Sequence, residues 1–403
     1  MAYTPSSGTS QLIAGPTLRT LSSAEDNMGG FIAPENQSKP QKQAPFPVKL
    51  KNSGPLLDNS GRIATDLRIS LTDKCNLRCI YCMPAEGLQW LPKDNLLSAE
   101  EIIRLADVAI SELGVEEIRF TGGEPLVRAD LVDIIAGIHA LHPEVPLAMT
   151  TNGIGLEKRA QALVDAGMTR INVSLDTICP ETFAKLTRRD KLASVLRGVE
   201  GAAAAGLSPV KINAVLMPGV NDTQAPELLD WALQGGYQLR FIEQMPLDAD
   251  NNWTREGTIT AAQIRALLSE RFVLGATSIE RGDSPAQLWE VYPLGTELDA
   301  DGFPVDGRES LGQVGIIASV TEPFCGACTR TRLTADGKIR SCLFSQTETD
   351  LMELIRSGAS DEELALRWRE GMWFKPRAHG KNSDSFTIEE FAKASRSMSA
   401  IGG

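Results

Sequence analysis

The chain has no apolar run of the roughly 18 residues that a membrane-crossing helix requires. It has no basic start followed by an apolar stretch, which argues against a secretory leader. An excess of basic charge is also missing. Lys and Arg number 40 against 52 Asp and Glu, a net charge of −12. That balance excludes a general nucleic-acid coat but leaves room for a local basic pocket. Histidine is scarce, and none of His139, His142 and His379 falls within a cysteine group. There is no internal repeat. What remains is a chain of 403 residues, 42% hydrophobic and 23% charged, long enough for two or three domains and a sizeable core. The expected setting is the cytoplasm, with no membrane partner.

Residues 1–56 are rich in Ser, Pro, Gly and Gln and show no sustained apolar period, so they are expected to form a disordered tail. A cleaved targeting segment is the alternative, weakened by Glu25, Asp26 and the scarcity of Arg. From 57 to 272, strand and helix patterns alternate. Strands are expected at Asp66–Leu71, Glu117–Phe120, Pro146–Thr150, Arg170–Leu175, Val210–Leu216 and Gln238–Ile242. Helices are expected from Ser98, an N-cap with Glu101 completing a capping box, to Leu113, and at Ala129–Leu141, Glu157–Ala166, Leu192–Ala205 and Ala225–Leu233. This alternation predicts an α/β fold of parallel βα units forming an open, partial (β/α)6 barrel, with ligands gathered at the C-terminal strand ends. Residues 273–403 have weaker periodicity, with a helical stretch at Asp361–Glu370, and are expected to form a C-terminal domain.

Seven cysteines, an odd number in a long chain without a leader, do not read as a disulfide framework. Six fall into two groups of three. Cys75, Cys79 and Cys82 follow the first strand with C-x3-C-x2-C spacing. Three clustered thiolates suit a soft metal centre, and a four-iron cluster held by three leaves one iron open to a ligand. A zinc site completed from elsewhere is the bland reading. Cys325, Cys328 and Cys342 form the second group, C-x2-C-x13-C, and Arg330 and Arg332 directly follow its pair. Guanidinium forks suit phosphate oxygens. Gly122-Gly123-Glu124-Pro125 ends the second strand: the glycines would let backbone approach a ligand, and Glu124 would accept from an ammonium group. Cys179 belongs to neither group and is expected to be a buried, inert thiol.

The first cysteine group, with Tyr81 before its last member, resembles the radical S-adenosylmethionine superfamily. With the second group, the resemblance narrows to the GTP 3′,8-cyclase family of molybdenum cofactor biosynthesis. It is carried by Gly61-Arg62, Leu67-Arg68-Ile69-Ser70, the segment Arg119 to Arg128, Thr150-Thr151-Asn152-Gly153, Lys211-Ile212-Asn213, Arg240-Phe241-Ile242-Glu243 and the terminal Gly402-Gly403. The resemblance implies the radical S-adenosylmethionine barrel with a C-terminal iron–sulfur domain, two [4Fe-4S] clusters on the two cysteine groups, and S-adenosylmethionine beside Tyr81, Gly123, Glu124, Ser174 and Met245. It implies GTP beside Arg68, Arg119, Thr150, Lys211, Arg330, Thr331 (through its backbone) and Arg332, with Arg240, Gly402 and Gly403 as further catalytic candidates. A deoxyadenosyl radical would take the ribose 3′ hydrogen, and the carbon radical would attack guanine C8. An external electron donor, a cyclic pyranopterin monophosphate synthase that takes the product, and a homodimer are implied partners. Glu117 departs from relatives that carry a basic residue there. A peptide-modifying radical enzyme and an electron-transfer iron–sulfur protein are the rival functions.

Overall fold

The computed structural model describes residues 53–248 and 253–377, with Phe46, Arg396 and 398–401. All belong to one compact unit, Pro40–Gly403. Most of the expected N-terminal tail, and Gly402 and Gly403, lie outside the described residues. The last tail residues are part of the fold. Leu56 is buried, and the carbonyl of Gly54 accepts from Arg369 Nε at 2.9 Å.

Four of the six strands of the first half largely alternate buried apolar side chains with less buried polar ones. The expected βα order follows: β1 (Asp66–Ser70), α1 (Ala99–Ser111), β2 (Glu117–Thr121), α2 (Leu131–Leu141), β3 (Leu147–Thr151), α3 (Ala160–Asp165), β4 (Met168–Ser174), α4 (Pro180–Thr187), α5 (Leu192–Ala204), β5 (Val210–Val215), α6 (Ala225–Gln234) and β6 (Gln238–Ile242). The Ser98 capping box forms in both directions, Glu101 N to Ser98 Oγ at 3.2 Å and Ser98 N to Glu101 Oε2 at 2.8 Å. Helix α4 was not expected from the sequence. Cys179 occupies its N-cap position and is half-buried, with Sγ 3.2 Å from Glu181 Oε2, so it is not the buried thiol expected.

The C-terminal third adds α7 (Ala261–Leu268), β7 (Phe272–Gly275), β8 (Gln287–Pro293), β9 (Gly312–Ile317), β10 (Arg330–Leu333), β11 (Lys338–Arg340), β12 (Thr349–Asp350), α8 (Met352–Arg356), α9 (Asp361–Trp373) and α10 (Met398–Ile401). Its strands join the same sheet, in the order β12-β11-β10-β1-β2-β3-β4-β5-β6-β9-β8-β7. The eight strands from β10 to β9 are parallel, and both margins are antiparallel. Strands β12 and β7 stay unjoined, so the sheet is an open rather than a closed barrel. Leu67, Ile69, Ile118, Phe120, Val173, Ile212 and Phe241 bury one face in a core shared with Ile102, Leu105 and Ile134 of the helices. Residues two apart on the other face are left to line a cavity. Among the described residues no helix is long and apolar enough to cross a membrane.

Candidate active site

The first cysteine group sits in the loop after β1. Backbone N–H groups of Arg78 and Ile80 donate to the carbonyls of Thr187 and Leu186 at the end of α4, at 3.0 and 2.9 Å. Arg78 Nη1 donates to Cys75 O at 2.7 Å, and Arg188 Nη1 to Met83 O at 2.9 Å. The loop is therefore wound around two guanidiniums. Gly122 and Gly123 hold it from the other side. A Cβ on Gly123 would meet Lys74 O at 2.2 Å and Asp73 O at 2.5 Å, and Gly123 N donates to Thr72 O at 2.7 Å. These glycines give close passage to the protein's own backbone at the Cys75 loop. Glu124 is likewise turned inward. Its carboxylate accepts from Thr151 Oγ1 and Asn152 N at 2.6 Å each and from Leu126 N at 3.0 Å, so most of its acceptor capacity is already used.

All seven cysteines are free thiols. Burial pushes Cys75 and Cys79 up, and Cys82 to about 12; Asp176, Cys82 and Cys75 raise Cys79 further. Mutual repulsion of this kind shows three sulfurs within electrostatic reach of one another, a site that a cationic centre would satisfy. No three His, Cys, Asp or Glu side chains converge tightly enough for a single ion among the described residues. A cluster binds each thiolate at a different iron, so the three-thiol set fits a cluster better than a zinc ion. Tyr81 donates its hydroxyl to Asp176 Oδ2 at 2.7 Å.

The second group brackets a single 3-10 turn, Cys325–Ala327, with Cys342 beyond β11. Two cations pin it. Arg62 Nη1 donates to Cys325 O at 2.8 Å, and the buried Lys375 Nζ to Cys328 O at 3.0 Å and Arg330 O at 2.7 Å. Burial alone would raise the Cys328 thiol, but Lys375 and Arg330 outweigh it and hold it below the usual range. Burial raises Cys342.

A cavity of ≈ 370 Å³ opens beside Cys325, Cys328 and Cys342 and extends over the sheet. Its floor is set by register. Arg332 of β10, Arg68 of β1, Arg119 of β2, Ala148 of β3 and Arg170 of β4 lie side by side in one row. Two residues further along the strands come Thr150, Asn172 and Lys211, and then Asn213 with Arg240. Two residues earlier come Arg330, Asp66 and Glu117. Arg240 donates to Asn213 Oδ1 at 3.1 Å and to Asn172 Oδ1 at 3.0 Å. Met245 also lines this space. The sequence reading anticipated Arg68, Arg119, Thr150, Lys211, Arg240, Met245, Arg330 and Arg332, and the fold brings them together here. It missed Arg62 and Lys375 as site residues, and Asp66, Arg170, Asn172 and Asn213; for the last four, counting back by twos from strand-end residues would have found them. Thr331 falls between two lining positions. Its side chain is fully buried on the far face, where Trp368 Nε1 donates to its hydroxyl at 3.1 Å. Tyr81, Gly123, Glu124 and Ser174 are not among the lining residues of this cavity.

Electrostatically the cavity is short of anions. Nine Lys and Arg side chains line it against three carboxylates, Asp66, Glu117 and Asp283. Burial first, and then neighbouring arginines (Arg68 for Arg119 and Arg332, Arg119 for Arg240), hold Arg119, Arg240 and Arg332 below the usual guanidinium range. The buried Nε atoms of Arg68, Arg119 and Arg330 have no hydrogen-bond partner. Orphaned buried donors of one sign call for a polyanionic ligand.

The C-terminal helix reaches this region. The backbone N–H of Ser399 donates toward Cys82 and offsets a part of the burial that raises its thiol, and Ile401 packs with Leu247 and Phe344 beside Met245 and Cys342.

Two family models cover most of the chain: the Radical SAM superfamily at residues 69–232 and Molybdenum Cofactor Synthesis C at 237–381. A GTP 3′,8-cyclase of Paenarthrobacter nicotinovorans is 59% identical over 348 residues, 86% of this chain and 97% of that protein. One from Streptomyces coelicolor is 54% identical over 349 residues, 86% of this chain and 96% of that protein. Among solved structures, Streptococcus suis SuiB bound to precursor peptide SuiA shares the fold at 15% identity, with a TM-score of 0.51 over 83% of this chain and 72% of that one. With such identity over nearly the whole of those relatives, and with both family models, the chain belongs to the GTP 3′,8-cyclase family of radical S-adenosylmethionine proteins.

Proposed function

We propose that this protein is a lyase that converts GTP and S-adenosylmethionine to (8S)-3′,8-cyclo-7,8-dihydroguanosine 5′-triphosphate in molybdenum cofactor biosynthesis. The observation that carries the substrate is the row of guanidiniums with orphaned donors leading from the second cysteine group. Cys75, Cys79 and Cys82 would hold one [4Fe-4S] cluster, and Cys325, Cys328 and Cys342 the other. When bound, the first cluster and S-adenosylmethionine supply a deoxyadenosyl radical, and the second supplies an open iron for the guanine.

The chain's own residues bind, orient and exclude water. Arg68, Arg119, Lys211, Arg330 and Arg332 neutralise the triphosphate, with Thr150 and the Thr331 backbone adding hydrogen bonds. Arg240, held by Asn172 and Asn213, is aimed into the same space. Tyr81, Gly123, Ser174 and Met245 flank S-adenosylmethionine, while Glu124 shapes that site by fixing Thr151 and Asn152. Gly402 and Gly403 follow directly on the buried Ile401 and would complete the site. The chain divides into a tail that ends before the folded Gly54, a barrel reaching to 272 and an iron–sulfur region at 273–403. The setting is cytoplasmic, with an external electron donor, transfer of product to a cyclic pyranopterin monophosphate synthase, and a homodimer.

The test is an anaerobic incubation of the reconstituted enzyme with reductant, S-adenosylmethionine and GTP, followed by mass spectrometry. Deoxyadenosine and cyclised nucleotide should both appear, and both should vanish with Cys75→Ala. Deoxyadenosine with untouched GTP removes the substrate assignment.

A further inference from the structure

Glu117 and Arg170 form an ion pair that spans a strand. Glu117 opens β2 and Arg170 is the third residue of β4, with β3 between them. At that level β3 presents Ala148, whose side chain ends at its methyl. Over this gap Arg170 Nη2 reaches Glu117 Oε1 at 2.5 Å, and the same oxygen accepts from Arg119 Nη2 at 2.7 Å. One carboxylate oxygen therefore serves two guanidiniums. Among the described residues Arg170 has no other ion-pair partner.

The pair lies at the cavity's open margin. The side chains of Arg170 and Glu117 are 28% and 26% exposed, against 15% and 12% for Arg68 and Arg119 further along the row. Strands in a sheet stand about 4.8 Å apart, so the row from Arg332 to Arg170 spans roughly 19 Å. Its inner end adjoins Cys342 and Cys328, which line the same cavity. A ligand with its base at those cysteines and its phosphates along the row meets Arg170 last.

We propose that Arg170 is a further substrate-binding residue that takes the outermost phosphate, and that Glu117 holds it in place and competes with that phosphate. The pair thereby selects nucleoside triphosphate over monophosphate. This rests on the cyclase reading above. A triphosphate end carries more charge than one shared carboxylate, so exchange of partners favours the ligand, while a monophosphate anchored at the cysteine end does not reach the pair.

The experiment uses the reconstituted holoenzyme and reads KM and kcat for GTP and inhibition constants for GMP. Losing one charge-assisted contact should raise the KM of Arg170→Gln about tenfold with kcat within about threefold. GMP inhibition should be unchanged. Arg170→Lys should recover part of the loss, which guards against a merely misfolded variant. Glu117→Gln, which removes the competitor, should lower KM. The proposal is overturned by an Arg170→Gln enzyme with wild-type KM, by equal loss of GMP and GTP affinity, or by a raised KM in Glu117→Gln. A wild-type enzyme that leaves GTP untouched fails the cyclase reading itself, a different result from a wild-type enzyme that cyclises GTP while Arg170→Gln matches it.

Discussion

The hydroxyl of Tyr81 lies 2.7 Å from Asp176 Oδ2, joining the first cysteine loop to the end of β4. Asp176 also accepts from Val215 N at 2.8 Å. Burial pushes its carboxyl up to about 6. Replacing Asp176 by Ala leaves a buried hydroxyl and a backbone N–H unpaired, a loss of about 1–3 kcal/mol, whereas Tyr81→Phe removes a single hydroxyl and should lose less. A double-mutant cycle read by thermal or denaturant unfolding should give a favourable interaction energy between the two. Additive losses would show that the contact does not hold the loop.

On the proposed phosphate site, Lys211 should make GTP binding depend on pH. Burial, and then Arg240 and Arg170, lower its ammonium to about 8. A polyanion prefers the charged form, so binding is strongest below that value and weakens as pH rises through it. The KM for GTP should therefore climb above about pH 8. In Lys211→Arg the climb should move beyond the measurable range, because a guanidinium stays charged. A KM that is flat from neutral to alkaline pH removes Lys211 from the phosphate site.

Gly123 has a space to itself that even a methyl would fill. An added Cβ would fall 2.2 Å from a backbone oxygen of the segment leading into Cys75. Gly123→Ala should destabilise the protein by about 1–3 kcal/mol through overpacking. It should also reduce the iron bound per chain, because the displaced segment carries the first cysteine. Iron analysis and a melting curve are sufficient, and wild-type values in both would show that the loop yields freely.

Ile401 is buried against Leu247 and Phe344, two residues from the chain end. Residues appended after Gly403 should lower cyclisation while leaving the melting temperature near that of the parent. Full activity in the extended protein would remove the terminal glycines from the site.

Much of this was legible in the sequence where local pattern and tertiary packing agree. Strands β1, β2, β5 and β6 largely alternate apolar and polar residues, β3 and β4 are short segments between clear breaks, and the fold keeps all six. Strands β10 to β12 are two to four residues long and are defined by pairing, β10 with β1, β11 with β10 and β12 with β11, rather than by any pattern of their own. Arg332, read as a neighbour of a cysteine pair, reaches the same row as Arg68 through that pairing. Thr331 can offer the cavity only its backbone, because a pleated strand sends alternate side chains to opposite faces and its own is buried against Trp368. Lys375 comes from just beyond α9, and its contact with Cys328 has no local signature. For Glu124, read as an acceptor for an ammonium group, sequence shows the charge but not the three donors around it.

The placement of β10 against β1 and of β9 against β6 means that the C-terminal third grips both flanks of the six-stranded centre. During synthesis the ribosome releases that centre first, with two bare parallel edges. The nucleotide cavity gains its last arginines only once residues beyond 332 have emerged. A prematurely terminated product would thus carry the first cysteine group and most of the cavity's cations but lack Arg330, Arg332, Lys375 and the second cysteine group, so the two cysteine centres are completed in a fixed temporal order.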